Sequence, residues 1–534
     1  MTTSPLPTDL MAGLMTVARS HSLGDIPRRS AARTPDKPAV IHRDTRLTFR
    51  EFDEAVDRVA GALHAAGLRQ GQTLGILSHN CWQFPVVVFA AARIGVVSVP
   101  INFMLTAPEI AYILDDCEAA GLIVEDSLVP TADAAIAASA APVTVRRSIP
   151  LGPDGSVTRW PSIDDWLSEP AGALPDVRIA DDDVIRIMYT SGTESRPKGA
   201  MHTSRTLMWQ YMSCVVSGGM SDDDIEVHSL PLYHCAQLDN FLITDIMLGA
   251  TSIILDRPEA TTLLRTVARE RATKLFCPPT VWISLLRSPD FDPVALSSLR
   301  KGYYGASALP VEVLRELSAS LPDLRLRNFY GQTEMGSLAT VLAPDDQATR
   351  GGSAGRPALN VETRIVDSDG AVVPTGSVGE IVHRSPQVTV GYLNLPEKTA
   401  ESFRGGWFHS GDLGYFDDDG YLWVVDRQKD MIKTGGENVS SREVEEVLFS
   451  HPAVHEAAVI GVPHPHWVEA VAAVVIPAAG RTVESSEIIQ YCRDRLAPYK
   501  IPKFVIAAES LPKNPSGKIL KRDLRDLYAD VVDG

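Results

Sequence analysis

The stretch Tyr189-Thr-Ser-Gly-Thr-Glu-Ser-Arg-Pro-Lys-Gly199 has the composition of neither a helix nor a strand. Gly192 and Gly199 permit unusual backbone angles, and Pro197 removes a donor. Between them stand the hydroxyls of Thr190, Ser191 and Thr193 and the cation of Lys198. Backbone N–H groups, hydroxyls and a lysine on one loop make a phosphate cradle. The preceding Asp183-Val-Ile-Arg-Ile-Met-Tyr189 reads as a buried strand. One residue conflicts with the pattern: Glu194 places a carboxylate inside the anion site.

The 534 residues exceed what one core can organise, so two to four domains are expected. An apolar fraction of 45% suits a large soluble globular chain. A net charge of −17 repels nucleic acid and anionic lipid, and argues against both as partners. Six cysteines without a C-x-x-C pair fit reduced thiols and a cytoplasmic location. Leu10 to Ala18 reads as a short helix, because no basic residue precedes it as in a signal peptide. The apolar run Phe84–Ile101 is interrupted by Pro85, Arg93 and Pro100, so it is a helix followed by a buried strand rather than a membrane span.

The first ~430 residues alternate helical patterns with β-branched runs, as α/β domains do. Thr48 and Glu51 open one such helix as a capping box, and Thr73-Leu-Gly-Ile-Leu77 is the strand after it. Thr262–Arg271 and Lys274–Cys277 form a second helix–strand unit. Near residue 360 the texture changes. Val361–Asp367, Gly379–His383 and Tyr421–Val425 are short strands joined by Gly, Asp and Pro turns, an antiparallel signature. Beyond Asp426-Arg-Gln-Lys-Asp430 the pattern is a helix (Ser441–Ser450), two strands (Ala457–Ile460, Ala470–Ile476), a helix (Ser485–Leu496) and a charged tail.

Seven further motifs follow the loop in order. They are Leu230-Pro-Leu-Tyr-His234, Tyr304-Gly-Ala-Ser307, Asn328-Phe-Tyr-Gly-Gln-Thr-Glu334, Trp407-Phe-His-Ser-Gly-Asp412, Asp426-Arg-Gln-Lys-Asp-Met-Ile-Lys433, Gly435-Gly-Glu-Asn438 and Pro515-Ser-Gly-Lys518. Together they resemble the adenylate-forming superfamily, in particular bacterial acyl-CoA synthetases of the fatty-acyl and aryl-CoA ligase type, over nearly the whole chain. The resemblance implies an α/β fold: a large N-terminal domain (1–427) of two α/β subdomains plus a small β-barrel, a hinge at 428–429, and a mobile α+β C-terminal domain (430–534). It implies that a carboxylate attacks the α-phosphorus of ATP to give acyl-AMP, and that coenzyme A then displaces AMP.

The same resemblance distributes roles. Lys518, His234 and Glu334 take the catalytic positions. Lys518 reaches carboxylate and α-phosphate, His234 gates the acyl site, and Glu334 positions Mg²⁺ with hydroxyls of Thr333 and Thr190. Thr190, Ser191, Gly192, Thr193 and Lys198 cradle the ATP phosphates. Tyr330 stacks on adenine beside Gln332, and Asp412 with Arg427 holds the ribose. Gly305, Ala306, Ser307, Gly331 and Gly336 shape the acyl and adenine pockets. Lys429 is the pivot, and Gly435, Gly436 and Glu437 face the CoA channel. His234, Gln237, Leu238, Asn240, Phe241, Ala306 and Gly336 include small residues and none that would hold an ammonium, which points to an apolar acid.

Three competing signals carry less. Gly351-Gly-Ser-Ala-Gly355 has the spacing of a serine nucleophile elbow but lacks the strand and helix that flank one. Cys235 beside His234 cannot readily form a dyad with its own neighbour. His464-Pro-His466 lacks further metal ligands. The chain departs from the family where Glu194 and Ser195 replace a Thr-Gly pair. Two like charges ~4 Å apart repel by roughly 4 kcal/mol at an effective dielectric near 20. If Glu194 points inward, phosphate binding suffers; if it turns outward or pairs with Arg196, little is lost. Three readings therefore stand: a complete ligase, an enzyme that forms thioesters only from preformed acyl-AMP, and an acyl-adenylate binding protein without turnover. A homodimer and a separate adenylating partner enzyme stay open beside them.

Overall fold

The computed structural model describes residues 14–15, 18–152, 159–170, 172, 174–190, 196–305, 309–427, 430–434, 437–513, 519–529 and 531. The chain divides into two compact units, one of 1–258, 333–337 and 386–399, the other of 259–332, 338–385 and 400–534.

The first unit holds a seven-stranded mixed sheet. Its order is Gly391–Tyr392, Lys198–Thr203, Val184–Thr190, Val97–Ile101, Thr73–Leu77, Gly121–Glu125, Val145–Ile149. The last five run parallel, and Thr73–Leu77 and Gly121–Glu125 are buried throughout, as expected of strands covered on both faces. Leu122 and Val124 point into one apolar cluster, and Ile123 into the other. The helix Phe49–Ala65 starts at the capping box foreseen for Thr48 and Glu51 and buries Phe52, Val56, Val59 and Leu63 on one face. Pro38–His42 pairs with Thr45–Thr48 and, in parallel, with Thr251–Ile254, which neighbours Ile225–His228.

In the second unit Lys274–Phe276, Lys301–Gly305 and Arg325–Tyr330 run parallel, followed by antiparallel Thr340–Leu342 and Arg356–Pro357. The segment expected to form a small barrel is a four-stranded antiparallel sheet, Glu362–Val366, Gly379–Arg384, Phe408–Phe416 and Leu422–Arg427, whose described strands do not close on themselves. The C-terminal region is a five-stranded sheet built on the long hairpin Val454–His464/Val468–Pro477. Alternate residues face opposite clusters, Val459 and Val471 on the side of helices Ser441–Phe449 and Ser485–Arg493, Ile460 and Val474 on the side of Leu524. The charged tail is more ordered than its composition suggests. It supplies the strand Phe504–Ala507 and the helix Lys521–Leu527. Gln428 and Lys429, the expected hinge, lie outside the described residues.

Candidate active site

The stretch from Tyr189 to Gly199 is not irregular to its ends. Val184–Thr190 and Lys198–Thr203 form an antiparallel hairpin, with Tyr189 opposite Gly199 and Thr190 opposite Lys198. Gly199 answers to packing: a Cβ there would lie 2.7 Å from Ile187 Cγ2. Ser191, Gly192 and Thr193, with the unusual Glu194 and Ser195, lie outside the described residues. Both ends of the loop are anchored. Tyr189 Oη donates to Asp116 Oδ2 (2.6 Å), Tyr112 Oη donates to Pro197 O (3.3 Å), and the Arg196 guanidinium lies 5.2 Å from the centre of the Tyr112 ring. Thr190 Oγ1 donates to Lys198 O (3.4 Å).

Lys198 and Glu334 meet through Tyr392, a residue outside every motif named above. Lys198 Nζ stands 5.3 Å from the ring centre of Tyr392, whose Oη donates to Glu334 Oε1 (2.8 Å). Tyr392 belongs to a two-residue strand paired with Ala200 and Met201, too short to carry a pattern. Thr389 N fixes the Glu334 backbone carbonyl (2.7 Å). Glu334 Oε2 accepts no hydrogen bond among the described residues, so one carboxylate oxygen remains for a hard cation, which fits a magnesium site.

His234 begins a short helical turn, and its Nδ1 accepts from Ala236 N (3.2 Å), which leaves the ring proton on Nε2. Cys235 is buried, 3.4 Å from Thr333 Oγ1 and 3.9 Å from His234 Nδ1, and burial pushes its thiol up to about 11. It is no nucleophile at neutral pH. Gln237, among the expected pocket residues, is buried and hydrogen-bonded: Nε2 meets His228 Nδ1 (2.8 Å) and Oε1 accepts from Leu230 N (3.3 Å). Asn240 Nδ2 donates to Ser337 Oγ (3.1 Å). Gly336 has φ +69°, and a Cβ there would come 2.8 Å from Gln210 Cγ, so chain geometry demands glycine. The same turn also holds a charge that the pocket reading passed over, Asp239, which is buried and paired with Arg186.

His202 Nε2 lies 3.0 Å from Thr333 O, an acceptor, so Nε2 carries the proton. Burial, aided by nearby Arg186, depresses this imidazole to about 4, against an ordinary value of 6.5. Between pH 6.5 and 4 the unfolded chain holds the proton and the folded chain does not, so stability falls as pH drops through that window. The interval corresponds to about 3 kcal/mol. His202→Gln should therefore show a shallower loss of urea resistance between pH 6.5 and 4; an unchanged pH slope would refute the assignment.

In the second unit the Asp412 carboxylate, almost fully buried, is the centre of a polar group. Its Oδ2 accepts from Tyr330 Oη (2.7 Å) and Gln332 Nε2 (2.9 Å), and Arg427 Nε faces Oδ1 at 3.3 Å. Gln332 Nε2 also reaches Ser410 O (2.9 Å). The ladder places Asp412 directly opposite Arg427. Gly331 is half-buried between Tyr330 and Gln332. At Gly305 a Cβ would meet Phe329 O at 2.5 Å, so this glycine serves the approach of the neighbouring strand. Glu437 is exposed on a short strand, opposite Thr434. Ala306, Ser307, Lys429, Gly435, Gly436 and Lys518 lie outside the described residues.

A family model described as AMP-binding enzyme matches residues 27–393, and one described as AMP-binding enzyme C-terminal domain matches residues 443–518. The chain belongs to the AMP-binding enzyme family. Its relatives are acid–thiol ligases of the adenylate-forming type. Feruloyl-CoA synthase of an Amycolatopsis species is 38% identical over 508 residues, 95% of this chain and 99% of the relative. Indoleacetate–CoA ligase of Aromatoleum aromaticum is 34% identical over 502 residues, 94% and 97% of the two chains. The solved structure of an anthranilate CoA ligase with anthranoyl-AMP superposes with a TM-score of 0.89 at 28% identity, covering 96% of this chain and 98% of that one.

Within this AMP-binding enzyme the signals discounted above are structural. Ser353 is buried, and its Oγ donates to Leu422 O (2.7 Å), so no nucleophile elbow exists. His464 stacks on Trp467 (4.1 Å between ring centres). Among the described residues no helix is long and apolar enough to cross a membrane.

Proposed function

We propose that this AMP-binding enzyme is an acyl-CoA synthetase that converts an apolar, ring-bearing carboxylic acid to its CoA thioester through an acyl-AMP. The observation that carries the reading is the Lys198–Tyr392–Glu334 group. A cation and a carboxylate with one open oxygen, held a tyrosine ring apart, suit a polyphosphate and its counter-ion. Glu334, with hydroxyl help from Thr190 and Thr333, would hold a magnesium ion, which would neutralise phosphate charge. Asp412 and Arg427 serve the ribose, and His234 borders the acid. The similarity to ligases named for ferulate, indoleacetate and anthranilate supports an aromatic acid and coenzyme A as acceptor.

Glu194 and Ser195 favour one second reading, an enzyme limited to the thioester step. Pyrophosphate exchange with a panel of aryl and fatty acids, run beside CoA consumption with synthetic acyl-AMPs, separates the two. The complete ligase exchanges with at least one acid. CoA consumption without exchange for any acid leaves the half-reaction enzyme, and neither activity leaves a binding protein.

A further inference from the structure

Arg186 sits in the middle of Val184–Thr190 and is fully buried. It donates through Nη1 to Asp239 Oδ1, which also accepts from Tyr211 Oη (2.9 Å). Among the described residues Arg186 Nε and Nη2 have no hydrogen-bond partner, nor does Gln210 Oε1. Stability does not account for this arrangement. A buried ion pair returns little beyond its desolvation cost, and well-packed apolar residues often replace one without loss. Unpartnered buried donors add to that cost.

What the pair does fix is local geometry. Asp239 lies in Leu238–Leu242, a single π-helical turn between Cys235–Gln237 and the α-helix Ile243–Leu248. Isolated π turns are uncommon and concentrate at functional sites. Returning this turn to α geometry would rotate Asp239 away from Arg186. The pair therefore selects the register of the turn that follows His234. The surrounding ties point the same way. In the hairpin Arg186 stands opposite His202, whose Nε2 bonds Thr333 O, one residue before Glu334. Asn240, beside Asp239, bonds Ser337 on that second segment. The strand of Arg186 itself runs into Thr190 and the phosphate loop.

We propose that Arg186 is a positioning residue for adenylation: through Asp239 it holds Leu238–Leu242 in its π register and so sets where His234 meets the acid. This rests on the ligase reading for its kinetic consequence but not for its structural one. The paired variant Arg186→Met/Asp239→Leu removes both charges together and avoids stranding either. Arg186→Lys keeps the charge as the conservative rescue. In the paired variant kcat/KM for the acid in pyrophosphate exchange should fall about tenfold to a hundredfold, the scale of a displacement near 1 Å. The KM values for ATP and CoA should hold, and Arg186→Lys should recover part of the loss. A merely structural role would lower thermal stability and leave that split unmoved.

Two further arms keep the test independent of turnover. Sulfamoyl-adenosine analogues of feruloyl-AMP and indoleacetyl-AMP, titrated by calorimetry, should bind the paired variant about tenfold more weakly than wild type. Hydrogen exchange of the Leu238–Leu242 amides in the unliganded protein should quicken in the paired variant. Wild-type exchange protection there, or wild-type kcat/KM and analogue affinity, overturns the inference. Failure of the wild type to exchange pyrophosphate with any acid overturns the ligase reading alone.

Discussion

Lys518→Ala is expected to lower pyrophosphate exchange about a thousandfold, while thioester formation from supplied acyl-AMP stays within about tenfold of wild type. The first half-reaction drives a carboxylate onto a triphosphate, so like charges converge. A single cation ~4 Å from the converging oxygens contributes roughly 4 kcal/mol at an effective dielectric near 20, which sets the thousandfold scale. The second half-reaction starts from a mixed anhydride with one phosphate, and no second anion need approach a polyanion. The residues that flank Lys518 are fixed. Lys513 and Ile519 face each other across an antiparallel bridge, and Lys513 pairs with Glu456 at 2.6 Å. Lys521 reaches Glu445 at 2.8 Å. Equal losses in both half-reactions would withdraw the assignment.

Asp412→Ala should raise the ATP concentration needed for half-maximal exchange about a hundredfold or more. Two hydroxyl bonds to a carboxylate contribute about 1.5–3 kcal/mol each. In the structure Oδ2 already receives Tyr330 and Gln332, and Arg427 faces Oδ1. A carboxylate offers about four acceptor sites, so a ribose diol must take the place of at least one of these donors. Asp412→Asn keeps one acceptor oxygen and should lose less. An ATP requirement unchanged by the alanine variant, measured with the acid saturating, would remove Asp412 from the nucleotide site.

The parts of the fold legible in the sequence are those set by neighbours along the chain. The capping box at Thr48 and Glu51, the buried strand Thr73–Leu77 and the shift to antiparallel texture near 360 each depend on spacing alone. The tail was less legible, because Lys521–Leu527 buries only Leu524 and shows no apolar stripe. The site motifs marked which segments matter, not what each side chain touches. Arg186 interrupts an otherwise apolar strand, and its partner Asp239 lies 53 residues away. Tyr392 lies 58 residues from Glu334, and nothing local announces the contact. Gly199, expected to supply an unusual backbone angle, has no positive φ and makes room for the Ile187 side chain, and Gly305 makes room for the neighbouring strand.

The six cysteines, all buried and none in a disulfide, acquire a different meaning once coenzyme A is the acceptor. An enzyme that handles a free thiol also meets its oxidised forms, and any reactive protein thiolate nearby would be captured as a mixed disulfide. Cys235 is next to His234, proposed to border the acid, and capture there would block that position. With its thiol pushed up to about 11, only about one molecule in ten thousand is thiolate at pH 7. Burial thus insulates the catalyst from the redox state of its own co-substrate.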